Sequence, residues 1–168
     1  MSDVIISTVW AMPSRWTFSI APIQEFINRN LCGGIIIDPF SGKSEIATHR
    51  NDLANGGVDA EKFCNQLLSK GIVADTILFD PPYSPRQISE CYKSIGLKVT
   101  GKDTQNAALY ARVKKPLAEL LKPGGVALSF GWQSSGFTKK QFTTKEILLV
   151  QHGSAHNDTI CVAQTKNK

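Results

Sequence analysis

The sequence lacks the patterns that would place a chain in a membrane, export it or fold it around a structural metal. No apolar run approaches the ~18 to 20 residues that span a bilayer, and residues 1–15 hold no basic stretch leading into an apolar one. The cysteines form no Cys-x-x-Cys pair and have no His-x-x-x-His nearby, so neither a zinc site nor a disulfide framework is predicted. They are Cys32, Cys64, Cys91 and Cys161. We therefore expect a cytoplasmic protein with no membrane or metal partner, whose cysteines are core or surface thiols.

The chain also lacks internal repeats, low-complexity tracts and linker-like segments. Its 168 residues, 42% hydrophobic and 20% charged, are typical of a globular protein rather than a disordered one. Residues 1–168 are therefore predicted to form a single domain. The net charge of +5 is compatible with a polyanionic partner such as nucleic acid, but the basic residues are too dispersed to require one.

Apolar runs that end in turn residues predict the strands. They are Gly34–Asp38, Ala74–Asp80, Gly125–Phe130, Glu146–Gln151 and Thr159–Gln164. The first three are uninterrupted, which is typical of parallel strands buried on both faces. The last two are joined by a short polar turn and predict an antiparallel hairpin.

Helical spacing of apolar residues predicts the helices between these strands. They are Ile20–Asn30, Asp59–Lys70 and Ala107–Leu121. Alternating strands and helices predict an α/β fold, a doubly wound and mostly parallel sheet with a C-terminal antiparallel hairpin.

The most specific string in the chain, Asp80-Pro81-Pro82-Tyr83, directly follows a buried strand. Ligands bind at the carboxyl ends of strands in open α/β sheets, so these side chains are expected to point into a site. The two prolines fix the backbone and hold a carboxylate at one end and an aromatic face at the other. Such a loop can accept hydrogen bonds from an exocyclic amine and stack on the base that carries it.

Asp80–Tyr83 resembles motif IV of the exocyclic-amino nucleic-acid methyltransferases, which methylate N6 of adenine or N4 of cytosine. The resemblance implies a Rossmann-like class I methyltransferase that uses S-adenosylmethionine, with Asp80, Pro81, Pro82 and Tyr83 as catalytic residues. Within the family, the Asp-Pro-Pro-Tyr form favours N6 of adenine in DNA. Lys122–Gly125 is similar to a turn common before the fifth strand of class I methyltransferases.

The loop after the first predicted strand resembles motif I, which wraps the methionine part of the cofactor. Its residues are Asp38, Pro39, Phe40, Ser41 and Gly42. The family often has a second glycine two positions after the first, where this chain has Ser44. A small-residue turn lets the backbone approach a ligand and direct N–H groups at its carboxylate.

Further cofactor contacts follow from the resemblance. Asp52 could accept the ribose hydroxyls, and Asp59-Ala60 resembles the motif III position that reaches the cofactor adenine. Asp59 is equally a candidate helix N-cap. Trp16 and Phe18 lie in a segment similar to the one that packs over the methionine end, although such aromatic residues are more often core.

The span from Asp38 to Asp52 is too short for a full helix and a strand, which need about 20 residues or more. The first βαβ unit is therefore predicted to lack a complete helix. The sheet face that this helix would cover is expected to be available to a partner or to a second copy in a homodimer. No segment has the size of a target-recognition domain. The polar segment Ser84–Gln105 is expected to form either a substrate-facing loop, with Arg86 and Lys93 as phosphate contacts, or a crossover with a helix near Gln87–Ser94.

The expected function is methyl transfer to a nucleic-acid amine, with DNA as partner and a nucleoid-associated location when bound. Methylation of RNA or of a protein amide is the alternative enzymatic function. A non-catalytic, cofactor-binding regulatory or structural protein is the second alternative, favoured by Ser44 and the shortened unit.

Overall fold

The computed structural model describes residues 3–83, 85–94, 96, 106–153 and 155–168. Within them, seven strands form one sheet in the order β1-β6-β7-β5-β4-β2-β3. The strands are β1 Ile5–Trp10, β2 Ile36–Asp38, β3 His49–Arg50, β4 Ala74–Phe79, β5 Leu121–Gly131, β6 Phe142–Gln151 and β7 Thr159–Lys166. Only β7 pairs antiparallel to its neighbours. The mostly parallel sheet with a C-terminal antiparallel pair confirms the predicted fold class.

Helices cover both faces of this sheet. They are α1 Ala21–Asn30, α2 Ala60–Ser69, α3 Pro85–Ser94 and α4 Asn106–Leu120. Helices α2 and α4 pack against one face through strand residues such as Ile37 and Ile77, whereas α1 packs against the other through residues such as Ile36 and Leu78. Neighbouring strand residues therefore face opposite layers, as the two-residue period of a strand requires. None of the described helices is long and apolar enough to cross a membrane.

Strand β1 was not among the sequence predictions. It pairs in parallel with β6 at the edge of the sheet, from Ile5 opposite Glu146 to Trp10 opposite Gln151. Its side chains are exposed or half-buried, and Ser7 and Thr8 interrupt the continuous apolar run that marks a central strand. An edge strand needs only one hydrogen-bonded neighbour, which the pattern of apolar residues does not reveal.

The predicted start of β5 also differs from the structure. The strand begins at Leu121, immediately after α4, rather than at Gly125. Ala74 pairs with Leu121 and Thr76 with Val126, so residues 122–125 bulge out of the ladder. Pro123 and Gly124 suit this bulge, and Gly124 has a φ of 78°.

The connection from β2 to β3 contains no helix, as its length predicted. The buried side chain of Asn51 holds this loop instead. Its Nδ2 donates to the Pro39 carbonyl at 3.2 Å and to the Val58 carbonyl at 2.8 Å, and its Oδ1 accepts from the Val58 N–H at 3.0 Å. The Asn51 carbonyl accepts from the Ser41 N–H at 2.9 Å. One side chain thus joins the loops that follow β2 and β3.

We expect Asn51→Ala to lower the free energy of unfolding by about 2–4 kcal/mol, because it leaves buried backbone groups of Pro39 and Val58 without partners. Urea denaturation measures the change. The matched control is Asn55→Ala, which removes an exposed amide from the same region and should cost less than about 1 kcal/mol. Equal losses in the two variants would contradict the role assigned to Asn51.

Candidate active site

The sheet order reverses at β2, which has β3 on one side and β4 on the other. A crevice at such a reversal, beyond the carboxyl ends of the strands, is where open α/β sheets bind ligands. Ile37 pairs with Ile77, so Asp38 at the end of β2 and Asp80 just after β4 lie within two residues of the same level. The fold thus brings together the leading residues of the two predicted motifs.

The Asp38 carboxyl group is completely buried. Its Oδ1 accepts from the Phe40 N–H at 3.0 Å, while its Oδ2 has no hydrogen-bond partner in the described part of the chain. Burial raises the pKa of Asp38 to about 8, and the nearby carboxylates of Asp80 and Asp52 act in the same direction. A buried carboxyl oxygen without a donor suits a positively charged ligand, as the ammonium and sulfonium groups of the expected cofactor would provide.

The loop after β4 is closed on itself rather than extended. The Tyr83 hydroxyl donates to Oδ1 of Asp80 and lies 3.4 Å from the Thr17 hydroxyl. The sequence predicted a carboxylate and an aromatic face at opposite ends of the prolines, but pairing the hydroxyl with the carboxylate gives both desolvated groups a partner. Burial raises the pKa of Asp80 to about 6, although the Tyr83 and Thr17 hydrogen bonds oppose the rise. Burial also raises the pKa of Tyr83 well above its ordinary value.

Helix α4 contacts the loop after β4 through Tyr110. The sequence motifs did not indicate this contact. The Tyr110 hydroxyl donates to the Pro82 carbonyl at 3.1 Å, and its ring packs edge-on against Phe79. Lys114 lies over the rings of Phe79, Tyr110 and Phe137 at 5.2–5.7 Å. Tyr110 therefore fixes the second proline carbonyl of the loop. Tyrosine at a helical core position carries no distinctive sequence signal, so this role was missed.

The segment before α1 bridges the loops that follow β2 and β4. The Trp16 ring covers Gly42, where an added Cβ would meet Cζ3 of Trp16 at 3.0 Å, and the adjacent Thr17 approaches Tyr83. The cations of Arg15 and Lys43 lie 5.3 and 5.1 Å from the Trp16 ring centre. Of the two aromatic residues predicted here, Trp16 lies on the loop after β2, which is predicted to bind the cofactor, whereas Phe18 is buried against Phe130 in the core.

Other predicted cofactor residues have structural roles in this fold. Phe40 packs edge-on against Phe79, and Ala60 is buried where α2 meets the sheet. Asp52 lies after β3, at the same edge as Asp38, and accepts from the Ala54 N–H. The Asp59 side chain caps α2, as the alternative interpretation predicted, and its Oδ2 accepts from the Tyr92 hydroxyl at 3.3 Å. None of these contacts prevents Asp52 or Asp59 from meeting a cofactor.

Helix α3 carries the two predicted phosphate contacts, and it includes the helix expected near Gln87–Ser94. Arg86 is exposed and pairs with Glu90 at 2.8 Å, and Lys93 is exposed. The helix contacts the 3₁₀ turn Leu53–Asn55. The rest of the predicted Ser84–Gln105 segment, residues 84, 95 and 97–105, lies outside the described residues.

Trp132, directly after β5, was not predicted as a site residue. Its ring lies 5.7 Å from that of Tyr83 and its side chain is 44% exposed. The loop that carries it is anchored by Phe137, whose N–H donates to Oε1 of Gln164 at 2.6 Å. A tryptophan immediately after a buried strand in an α/β sheet was the available signal. The carboxyl ends of β4 and β5 thus present two neighbouring aromatic rings.

No family model matches the chain, and no curated protein matches it. Solved structures match it in fold. TrmN from Thermus thermophilus superimposes with a TM-score of 0.51 and 15% identity over 88% of this chain and 49% of TrmN. SMU.776, a putative methyltransferase complexed with SAH, gives a TM-score of 0.52 and 10% identity over 96% of this chain and 44% of that protein. This chain therefore has the Rossmann-like fold of class I methyltransferases, and it spans about half the length of these two structures.

The raised pKa of Asp38 predicts a stability effect in the cofactor-free protein. The carboxyl group is ionised in the unfolded chain above about pH 4 but protonated in the folded chain up to about pH 8. Its contribution to stability is therefore complete at low pH and is lost as the pH rises towards 8. Asp38→Asn removes this titration, and we expect it to be more stable than the native protein at pH 8 by roughly 1–3 kcal/mol, with a smaller difference at pH 5.

Denaturant titrations between pH 5 and 9 measure this difference. Asp75→Asn is the matched control, because the pKa of Asp75 is lowered by its pairing with Lys122. Losing that carboxylate should reduce stability at neutral pH, the opposite sign. A constant difference between native protein and Asp38→Asn at every pH would contradict the prediction.

Proposed function

We propose that this chain is an S-adenosylmethionine-dependent methyltransferase that acts on an exocyclic amine of a nucleic-acid base, N6 of adenine in DNA. The observation that carries the proposal is the juxtaposition of two features at the strand-order reversal. One is the Asp80–Tyr83 loop and the other is the buried Asp38. The methyltransferase fold supports the reaction class, and the Asp-Pro-Pro-Tyr loop supports the substrate amine.

The residues at the edge of the sheet fit the cofactor. Asp38 offers an unpaired buried oxygen to a cationic group, and Gly42 beneath the Trp16 ring provides a turn without a side chain. The other loop residues, Pro39, Phe40 and Ser41, shape this turn, and Asp52 and Asp59 follow along the same edge. When bound, the cofactor supplies a methyl group on a positively charged sulfur. Phe18 and Ala60 would support this site from the core rather than touch the ligand.

The catalytic loop is arranged to receive an amine. Asp80 accepts hydrogen bonds from the Tyr83 and Thr17 hydroxyls, but the oxygens of a carboxylate offer about four acceptor positions, which leaves capacity for a substrate N–H. Tyr110 holds the backbone after Pro81 and Pro82 by its bond to the Pro82 carbonyl. A preorganised acceptor that meets the amine as its charge develops lowers the barrier without reorganising.

Aromatic and basic side chains around this loop suit a nucleic acid. The Tyr83 and Trp132 rings form a tilted pair at the loop, where an extruded base can stack. Arg15 and Lys43 flank Trp16 at the mouth of the site, and Arg86 and Lys93 lie further out on α3. Because Arg86 is already paired with Glu90, Arg15 and Lys43 are further candidates for phosphate contacts.

A methyl-transfer assay with labelled S-adenosylmethionine on duplex DNA, single-stranded DNA, RNA and protein tests the substrate. Nucleoside mass spectrometry then identifies the methylated atom, and we expect N6-methyladenine in DNA. Label in RNA or in a glutamine amide would replace the DNA proposal. Cofactor binding by calorimetry without transfer to any substrate would favour a regulatory or structural role, and a folded protein that binds no cofactor would overturn the proposal altogether.

We expect Asp80→Ala to reduce methyl transfer by at least about 100-fold, because it removes the acceptor that the amine needs. Cofactor affinity, measured by calorimetry, should stay largely intact. The control Asp75→Ala removes a carboxyl group near the other end of the same strand and should leave transfer per folded molecule unchanged. Full activity of Asp80→Ala would reject the mechanism.

We expect Trp132→Ala to raise the KM for the nucleic acid by about 5- to 100-fold, since stacking on one aromatic ring contributes about 1–3 kcal/mol per base. Trp132→Phe should restore most of the affinity because it keeps a ring beside Tyr83. Gln133→Ala, an exposed neighbour, serves as the control. An unchanged KM in Trp132→Ala would exclude Trp132 from the substrate site.

A further inference from the structure

A cavity of about 500 Å³ lies where β1 and β6 end. Its lining residues are Trp10, Gln151, Gly153, His156, Asn157 and Asp158. Strands β1, β6, β5 and β4 all run in the same direction, so this cavity opens at the same edge of the sheet as Asp80. Its volume falls within the range of small-molecule sites, about 300–1,000 Å³.

The wall of this cavity is fixed by hydrogen bonds rather than formed by a loose turn. The Ala11 N–H donates to the Gln151 carbonyl at 3.0 Å, which ties the end of β1 to β6. The buried His152 donates from Nδ1 to the Ala11 carbonyl at 2.8 Å, and its Nε2 meets the Thr159 hydroxyl at 2.9 Å. Asp158 accepts from the His152 N–H at 3.1 Å. The backbone at the end of β1, which carries Trp10, is therefore held in place before any ligand arrives.

The chemistry of the lining defines the ligand. Trp10 is 60% exposed, and Gly153 faces its edge, where an added Cβ would lie 4.0 Å from Nε1. Gln151 and Asn157 contribute carboxamides, which pair with the edges of bases. Among the described residues that line the cavity there is no lysine or arginine, so they offer little to a phosphate group. An exposed indole beside two carboxamides suits a flat, uncharged ring that carries hydrogen-bond donors and acceptors.

We propose that this cavity is a second nucleobase-binding subsite, which stacks a base of the substrate strand on Trp10 while the target base lies at Asp80. The inference rests on the proposed nucleic-acid substrate. Four strand spacings of about 4.8 Å separate β1 from β4, so the two sites are about 19 Å apart, within one turn of a duplex. The subsite would give the enzyme a contact with a base other than the one it methylates.

Fluorine NMR of protein labelled with 5-fluorotryptophan tests the proposal on the intact chain. Its three tryptophans give separate reporters, and Trp10→Phe assigns the resonance of Trp10. Adding SAH alone should leave the Trp10 resonance in place. Adding single-stranded DNA, duplex DNA or RNA of mixed sequence, each with SAH present, should shift it together with Trp132, and the form that acts at lowest concentration identifies the source of the base.

Binding affinities give the second readout. Trp10→Ala should weaken oligonucleotide binding by about 5- to 100-fold while SAH affinity stays unchanged, and Asn157→Ala should weaken it by a smaller factor. Ile6→Ala is the matched control, because Ile6 lies on the same edge strand, is 71% exposed and is not part of the cavity. It should bind oligonucleotides as the native protein does.

The outcomes separate the subsite from the function on which it rests. If oligonucleotides shift Trp132 but leave Trp10 unmoved, or if Trp10→Ala binds like Ile6→Ala, the subsite is rejected while the proposed function stands. If no nucleic acid binds although SAH does, both are rejected. A Trp10 shift that depends on protein concentration rather than on oligonucleotide would assign this edge to self-association and also overturn the proposal.

Discussion

The electrostatics of this site are set by the burial of two neighbouring carboxyl groups, those of Asp38 and Asp80. Asp38 and Asp80 end adjacent parallel strands, and burial raises the pKa of each, to about 8 and about 6. The protein supplies partial compensation through the Phe40 N–H and the Tyr83 and Thr17 hydroxyls. It leaves one Asp38 oxygen without a donor in the described part of the chain. Such an arrangement lowers the stability of the free protein, and a positively charged ligand beside that oxygen would offset part of the cost.

The rest of the edge is organised so that these two groups stay in place without the usual helix after β2. The side chain of Asn51 replaces that helix as the element joining the loops after β2 and β3. On the other side, Tyr110 of α4 holds the loop after β4 by its Pro82 carbonyl. Helices position residues through many weak contacts, whereas these two side chains use a few buried hydrogen bonds, so single substitutions there should have large effects.

Residues with a local signal were predictable, and those that act through tertiary contacts were not. The buried runs ending at Asp38 and Asp80 identified β2 and β4, because parallel strands covered on both faces read as continuous apolar segments. Strand β1 was not predicted because Ser7 and Thr8 interrupt its apolar residues and an edge strand needs no buried run. Tyr110 and Trp132 were not predicted because their partners, Pro82 and Tyr83, lie far along the chain. Asn51 was not predicted because its role depends on how the loops after β2 and β3 fold together. The Tyr83 hydroxyl donates to Asp80 because both groups are buried and each needs a hydrogen-bond partner. The Asp-Pro-Pro-Tyr motif does not reveal this contact.

The three tryptophans lie at different points along the carboxyl edge of the sheet. All three are partly exposed, and each lies at the end of a parallel strand or over the loop that follows one. Trp16 is covered by Arg15 and Lys43 and packs on Gly42, so its ring lies over the loop that follows β2. Trp132 pairs with Tyr83, and Trp10 borders the cavity at the ends of β1 and β6, so these are the two rings that we propose to stack on bases. The proposed nucleic-acid contacts would come from separate strand ends, because parallel strands end at the same side of a sheet.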